Sequence, residues 1–198
     1  MNNKDTKETN VLAQASILMV AGIITRIIGV LYRSPLTSVI GDEGNGYYGI
    51  AVNIYTMILL VSSYSIPMAV SKVVSSKLAV HQYRNAHKVF KCALMYVLVV
   101  GGIASLITFF GASILIPSNQ PKAIPVLRIL APTIFFSGFL GVFRGYFQAH
   151  GTMVPTSLSQ IIEQVANAVI SIGAALLFIH IFAGGDADKV PVFGAMGI

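Results

Sequence analysis

Five apolar stretches, each longer than the roughly 20 residues a helix needs to cross a bilayer, run through this chain. They fall at about residues 11–40, 47–76, 89–116, 124–147 and 155–182. Strands of a membrane barrel would be about 10 residues long and would alternate apolar with polar positions. These stretches do neither, so they read as helices. Only 10% of the residues are charged, against roughly 25% in a soluble domain. That leaves too little polar surface to keep the folded chain in water. The fold class that follows is all-α integral membrane, a polytopic helical bundle of about five spans.

Breakers separate the spans. Gly41-Asp-Glu-Gly-Asn-Gly46, Pro117-Ser-Asn-Gln-Pro121 and Gly151-Thr-Met-Val-Pro155 read as turns. Pro35, Pro67 and Pro132 fall inside spans, where proline kinks a helix. Residues 1–10 form a polar tail, and residues 184–198 form an outer loop followed by the apolar start of a sixth span. That unfinished end suggests an N-terminal portion of a larger protein or a truncated reading frame. No cleavable signal peptide is evident, because the first apolar run is far longer than a signal core of about 7–15 residues.

Charge sets the orientation. Lys4 and Lys7 precede the first span, and Lys72, Lys77, Arg84, Lys88 and Lys91 cluster after the second. Arg144 and His150 follow the fourth. The alternate loops hold Asp42 and Glu43, then Lys122, then Asp186, Asp188 and Lys189. Basic residues gather on the cytoplasmic side of membrane proteins, so the N-terminus is expected inside. The net charge of +6 is accounted for by these loops and does not point to nucleic acid. Cys92 stands alone, which rules out an internal disulfide framework.

Arg26 lies near the middle of the first apolar stretch. A charge at that depth costs about 3 kcal/mol or more and normally faces protein or a wet cavity. Gly22, Arg26, Gly29 and Arg33 follow at spacings of 4, 3 and 4. At about 100° per residue they share a sector of roughly 60°. Two arginines beside two glycines leave room for a bulky anionic group. The competing reading is close helix packing through the glycines, with Arg33 reaching out to the headgroups.

On the fifth stretch Thr156, Gln160, Glu163, Gln164, Asn167 and Ser171 form one polar stripe. It reads as the wall of a central cavity, with Glu163 as partner of Arg26 or as a proton or cation site. The alternative is interhelical hydrogen bonding with Glu163 as a buried counter-ion. Lys72, late in the second span, is placed to contact a phosphate arriving from the inner leaflet or to snorkel. Arg144 reads as an inner-surface anchor and Arg128 as an interfacial one. The stretch from His81 to Lys91 reads as a basic amphipathic connector along the membrane surface. Tyr47, Tyr48 and Tyr146 suit interfacial belts. His81 and His87 are six apart, off the i, i+4 spacing a helical metal pair needs. No HExxH, P-loop or GxSxG motif is present. No cofactor, metal site or catalytic apparatus is therefore expected.

Several stretches taken together resemble a known group. They are Gly22-Ile-Ile-Thr-Arg-Ile-Ile-Gly29, Ile66-Pro-Met-Ala-Val-Ser-Lys72, Arg144-Gly-Tyr-Phe-Gln148 and Met153-Val-Pro-Thr-Ser-Leu-Ser-Gln-Ile-Ile-Glu-Gln164. The resemblance is to the polysaccharide-exporter branch of the multidrug/oligosaccharidyl-lipid/polysaccharide superfamily, of the lipid II flippase and stage V sporulation protein B type. It implies the N-terminal lobe of a MATE-like transporter working by alternating access around a central cavity. It implies a substrate of undecaprenyl-pyrophosphate-linked oligosaccharide, moved from the inner to the outer leaflet of a bacterial plasma membrane. Cavity arginines would bind the pyrophosphate. By that resemblance Arg26 matches the first-helix arginine, while Arg33 falls beside the second position, with Tyr32 nearer it. The candidate binding set is Arg26, Arg33, Lys72, Gln160, Glu163 and Asn167. Membrane lipids and a coupling Na+ or H+ are the other expected partners. Two other functions fit the same residues: a cation-coupled multidrug exporter leaning on Glu163, and a membrane scaffold that transports nothing.

Overall fold

Gly41 takes φ 73° and ψ 173°, a conformation that glycine reaches without a Cβ clash and other residues rarely adopt. The helical stretch Asn3–Ser62 is therefore two helices, α1 (residues 3–40) and α2 (residues 42–62). The computed structural model describes the backbone of residues 3–63, 65–183 and 189–198, with side chains for 12–63, 65–181 and 189–198. The remaining helices are α3 (Ile66–Ala79), α4 (Tyr83–Leu115), α5 (Ile124–Ala149), α6 (Val154–Phe178) and α7 (Val190–Gly197). The fourth carries a π turn at Val97–Gly101, and the sixth runs on into another at Ile179–Ala183.

Four stretches are long and apolar enough to cross a membrane: Leu12–Ala79, Tyr83–Leu115, Pro121–Ala149 and Val154–Ile181. The first, at 68 residues, would be about 100 Å long if straight at roughly 1.5 Å per residue. Instead it folds back at Gly41. Leu18 of α1 shares a cavity wall with Leu59 and Lys72 at one end of the bundle, and Arg33 shares one with Asn45 and Tyr48 near the other. The chain thus traverses the bundle five times, along α1, α2 with α3, α4, α5 and α6. Helices α1 and α6 run parallel. Gln14 accepts the Met153 backbone N–H at 2.8 Å, while Leu36 and Ile40 pack on Ala175 at the far end.

The structure differs from the sequence reading in several local respects. The 41–46 segment is no extended turn: a single residue breaks the helix, and Gly44 lies within α2 where α7 crosses it closely. A Cβ on Gly44 would stand 2.8 Å from the Pro191 carbonyl oxygen. The second span is broken between Ser62 and Ile66, and Pro67 lies in the first turn of α3, where its missing N–H leaves no bond unmade. The expected polar tail is helical from Asn3. The expected outer loop at 184–188 lies outside the described residues.

Packing is inside-out relative to a soluble protein. Large apolar residues such as Val61, Met57, Ile107, Phe110, Ile114 and Val169 are exposed, where lipid solvates them. The fully buried contacts are rich in small residues: Ala51, Ala112, Ala123, Ala131 and Ala175. Small residues let helix backbones approach closely where the hydrophobic effect gives no drive. Helix α5 shows this most sharply. A Cβ on Gly138 would stand 2.7 Å from Val97 Cγ1, and one on Gly145 would stand 2.5 Å from the Pro67 carbonyl oxygen. With α3 and α4 held this close to the glycine face of α5, the adjoining stripe of Ser137, Gly141, Arg144 and Gln148 faces a cavity.

Candidate functional site

Two cavities hold the candidate residues, in different halves of the bundle. The first, of about 440 Å3, is lined by Arg26, Gly29, Tyr32 and Arg33 of α1 and by Asn45 and Tyr48 of α2. It exists because the fold-back at Gly41 sets these two helix faces against each other. Gly29 keeps the wall open toward α6, where a Cβ would only just reach Gln164 Oε1 at 4.0 Å. Both arginines are exposed, and neither forms an ion pair among the described residues. Their charge is open to an anionic ligand.

The second cavity, of about 660 Å3, lies toward the other end. Lys72, Arg144, Gln148, Thr156 and Gln160 supply its polar wall, and Leu18, Leu59 and Met68 supply apolar surface. The expected single cavity joining Arg26 to the fifth-span stripe is thus replaced by two. Lys72 and Gln160 belong with the second; Arg26 and Arg33 belong with the first. The cause is register, since Gln160 lies level with the N-terminal half of α1.

Glu163 pairs with Arg144, not with Arg26. Arg144 Nη2 donates to Glu163 Oε2 at 2.6 Å, and its Nε donates to Ser159 Oγ at 3.0 Å. Arg144 is therefore an internal tie between α5 and α6, where an inner-surface anchor had been expected. The short 150–153 connection folds these helices into a hairpin, which brings residue 144 opposite 159 and 163. Asn167 accepts a bond from Ser171 at 2.9 Å along α6 and lines neither cavity. Ser171 is buried and also reaches the Ile198 carbonyl at 3.4 Å, so that end of the stripe holds helices together.

Other expectations shift as well. Tyr47 is buried in a core cluster with Ala51, Ala123 and Leu127, and its hydroxyl donates to Glu43. Lys122 reaches Glu43 at 3.5 Å, which links the start of α2 to the start of α5. Arg128 donates to Ser113 of α4 at 3.3 Å. Asn45, Tyr48 and Thr156 line the cavities although no individual binding role was drawn for them from sequence. Thr156 alone carried a signal, as a member of the polar stripe.

An all-α, multi-pass membrane protein with cavities lined by cations, three of them (Arg26, Arg33 and Lys72) without an ion-pair partner among the described residues, is the class these observations define. The chain belongs to the polysaccharide biosynthesis protein family, which matches residues 11–186. Over 179 residues it is 27% identical to the lipid II flippase MurJ of Bacillus subtilis (strain 168), covering 85% of this chain and 33% of that relative. It is 30% identical over 157 residues to stage V sporulation protein B of the same organism, covering 76% of this chain and 30% of the relative. The uncharacterized membrane protein YabM, also of that organism, is 25% identical over 160 residues, with 80% and 29% covered. The chain spans about a third of the length of these curated relatives. No solved structure matches it.

Proposed function

We propose that this chain forms the N-terminal lobe of a transporter that moves undecaprenyl-pyrophosphate-linked oligosaccharide from the inner to the outer leaflet of a bacterial plasma membrane. The observation that carries this is the Arg26 and Arg33 pocket: two exposed cations on one face of a membrane-spanning helix, lining one cavity, with no acidic partner among the described residues. A pyrophosphate needs charge compensation once it leaves water, and guanidinium groups supply it in bidentate geometry. Asn45 and Tyr48 add hydrogen-bonding groups to the same wall. The name of the lipid II flippase relative supports the same substrate class.

Transport by alternating access needs joints, and Gly41, the break between α2 and α3 and the π turn in α4 offer them. The basic end of the bundle is placed at the cytoplasm, with the N-terminus inside. Coupling to Na+ or H+ is the expected energy source. A multidrug exporter coupled through Glu163 is less well supported, because that carboxylate is engaged by Arg144.

The test is rescue of a flippase-depleted bacterium by the longest reading frame containing this segment, beside its Arg26→Ala form. Rescue by the parent and loss in the variant, at equal membrane abundance, is the expected result. Equal rescue by both would remove Arg26 from the substrate path, and no rescue by a well-expressed parent would sink the substrate assignment.

A further inference from the structure

The cavity at the Lys72 end has features that the Arg26 pocket does not explain. Arg144 lines it, but Glu163 already meets that charge. Lys72 also lines it, and has no carboxylate partner among the described residues. Thr156 is 2% exposed, and its Oγ1 has no hydrogen-bond partner although the residue lines the cavity. A buried hydroxyl left unpaired is costly, and native structures contain few of them. Gln148 and Gln160 present amides to the same space. One uncompensated cation, a buried hydroxyl and two amides, with no free acid, make a donor set for an oxyanion. The apolar part of the wall, from Leu18, Leu59 and Met68, suits a ligand that carries a hydrocarbon chain.

We propose that this cavity is an oxyanion subsite, separate from the Arg26 pocket, that takes the phosphate of a lipid head group on Lys72 with hydrogen bonds from Thr156, Gln148 and Gln160. It rests on the proposed function for the class of ligand, but stands or falls on different residues. Two sources share this chemistry, the pyrophosphate of a polyprenyl lipid and the phosphodiester of a bulk phospholipid. In the first case the subsite holds the head group at a stage before or after the Arg26 pocket. In the second it seats an annular lipid between α3, α5 and α6.

The experiment is native mass spectrometry of the chain in a phosphate-free detergent, titrated separately with undecaprenyl pyrophosphate, phosphatidylglycerol and inorganic pyrophosphate. At least one of the two lipids is expected to bind. Lys72→Gln should weaken that binding by roughly tenfold and Thr156→Val by about threefold. Lys72→Arg and Thr156→Ser should stay within about twofold of the parent, since each keeps the donor. Arg26→Gln should leave a Lys72-dependent binding event in place. Because Lys72 is exposed, its variants test the site even if Thr156→Val fails to fold. Lys72-dependent binding of phosphatidylglycerol alone supports the subsite with a bulk lipid as its occupant, and counts against the polyprenyl substrate. The proposal is overturned if neither lipid binds, if Lys72→Gln binds as tightly as the parent, or if Arg26→Gln abolishes all binding.

Discussion

Arg144 Nη2 lies 2.6 Å from Glu163 Oε2, and the two residues are unequally shielded: the arginine side chain is 19% exposed and the glutamate 52%. That inequality predicts an asymmetric response to mutation. Losing Glu163 strands the more enclosed cation, with only Ser159 left as its partner. Losing Arg144 leaves a carboxylate that solvent or headgroups can reach. Glu163→Leu is expected to cost about 2 kcal/mol and Arg144→Leu less than about 1 kcal/mol. The double variant should be more stable than Glu163→Leu alone. Thermal unfolding in detergent reads all three, and equal losses from the two single variants would contradict the assignment of Arg144 as the shielded partner.

The glycines of α5 give a graded prediction. Gly145→Ala places a methyl 2.5 Å from the Pro67 backbone oxygen, and Gly138→Ala places one 2.7 Å from Val97 Cγ1. Backbone cannot move aside as a side chain can, so Gly145→Ala should cost about 2–3 kcal/mol and Gly138→Ala somewhat less. Gly22→Ala meets nothing within 4 Å and should be neutral or slightly stabilising, by up to about 1 kcal/mol of helix propensity. Unfolding temperatures that fall in that order support the close α3–α5 contact. A loss at Gly22 equal to that at Gly145 would show that the α5 face is not where the helices meet.

Gly41 is the fold-back residue at φ 73°. Gly41→Ala puts a Cβ at φ 73° and ψ 173°, a region essentially reserved for glycine, and should cost roughly 1–3 kcal/mol. A Cβ there meets nothing within 4 Å, so the cost is conformational, and Gly41→Asn, whose tolerance of positive φ is confined to the αL region, should cost as much. Thermal unfolding of the two variants checks this. An unchanged unfolding temperature for Gly41→Ala would show that strain at this backbone position is not a cost.

The bundle was legible in the sequence because lipid imposes simple rules: length and apolarity are readable one span at a time. Pairing between spans was not. Arg26 stood out as an intramembrane charge, and the structure does give it a cavity wall. Its partners Asn45 and Tyr48 depend on a fold-back at one glycine, and three glycines in the 41–46 segment were equal candidates. Glu163 was left open between a partner for Arg26, a proton or cation site and a structural counter-ion for a similar reason. Spacing along α6 says which residues share its face, but only the hairpin geometry says that Arg144 stands opposite. Thr156 read as one polar residue among six, and its burial without a partner is a property of packing.

Orientation yields the last prediction. Glu43 and Lys122 pair at 3.5 Å at the Gly41 end, with side chains 58% and 51% exposed. Lys72, Lys77, Arg84, Lys88 and Lys91 gather at the opposite end, four of them exposed. The positive-inside tendency therefore predicts Glu43 and Lys122 outside the cell and Arg84 in the cytoplasm. Cys92 is the single cysteine and is exposed, so a Cys92→Ser background frees the chain for labelling. In that background Glu43→Cys and Lys122→Cys should react with a membrane-impermeant maleimide on intact cells. Arg84→Cys should react only after permeabilisation. Exposed ion pairs such as Glu43–Lys122 add little stability, so Lys122→Cys should leave the fold intact; Glu43→Cys also removes the acceptor of the Tyr47 hydroxyl, so its labelling is read beside that of Lys122→Cys. Labelling of Arg84→Cys on intact cells would invert the topology. It would then place the Lys72 cavity toward the outer leaflet, where it would serve release of a head group and not its uptake.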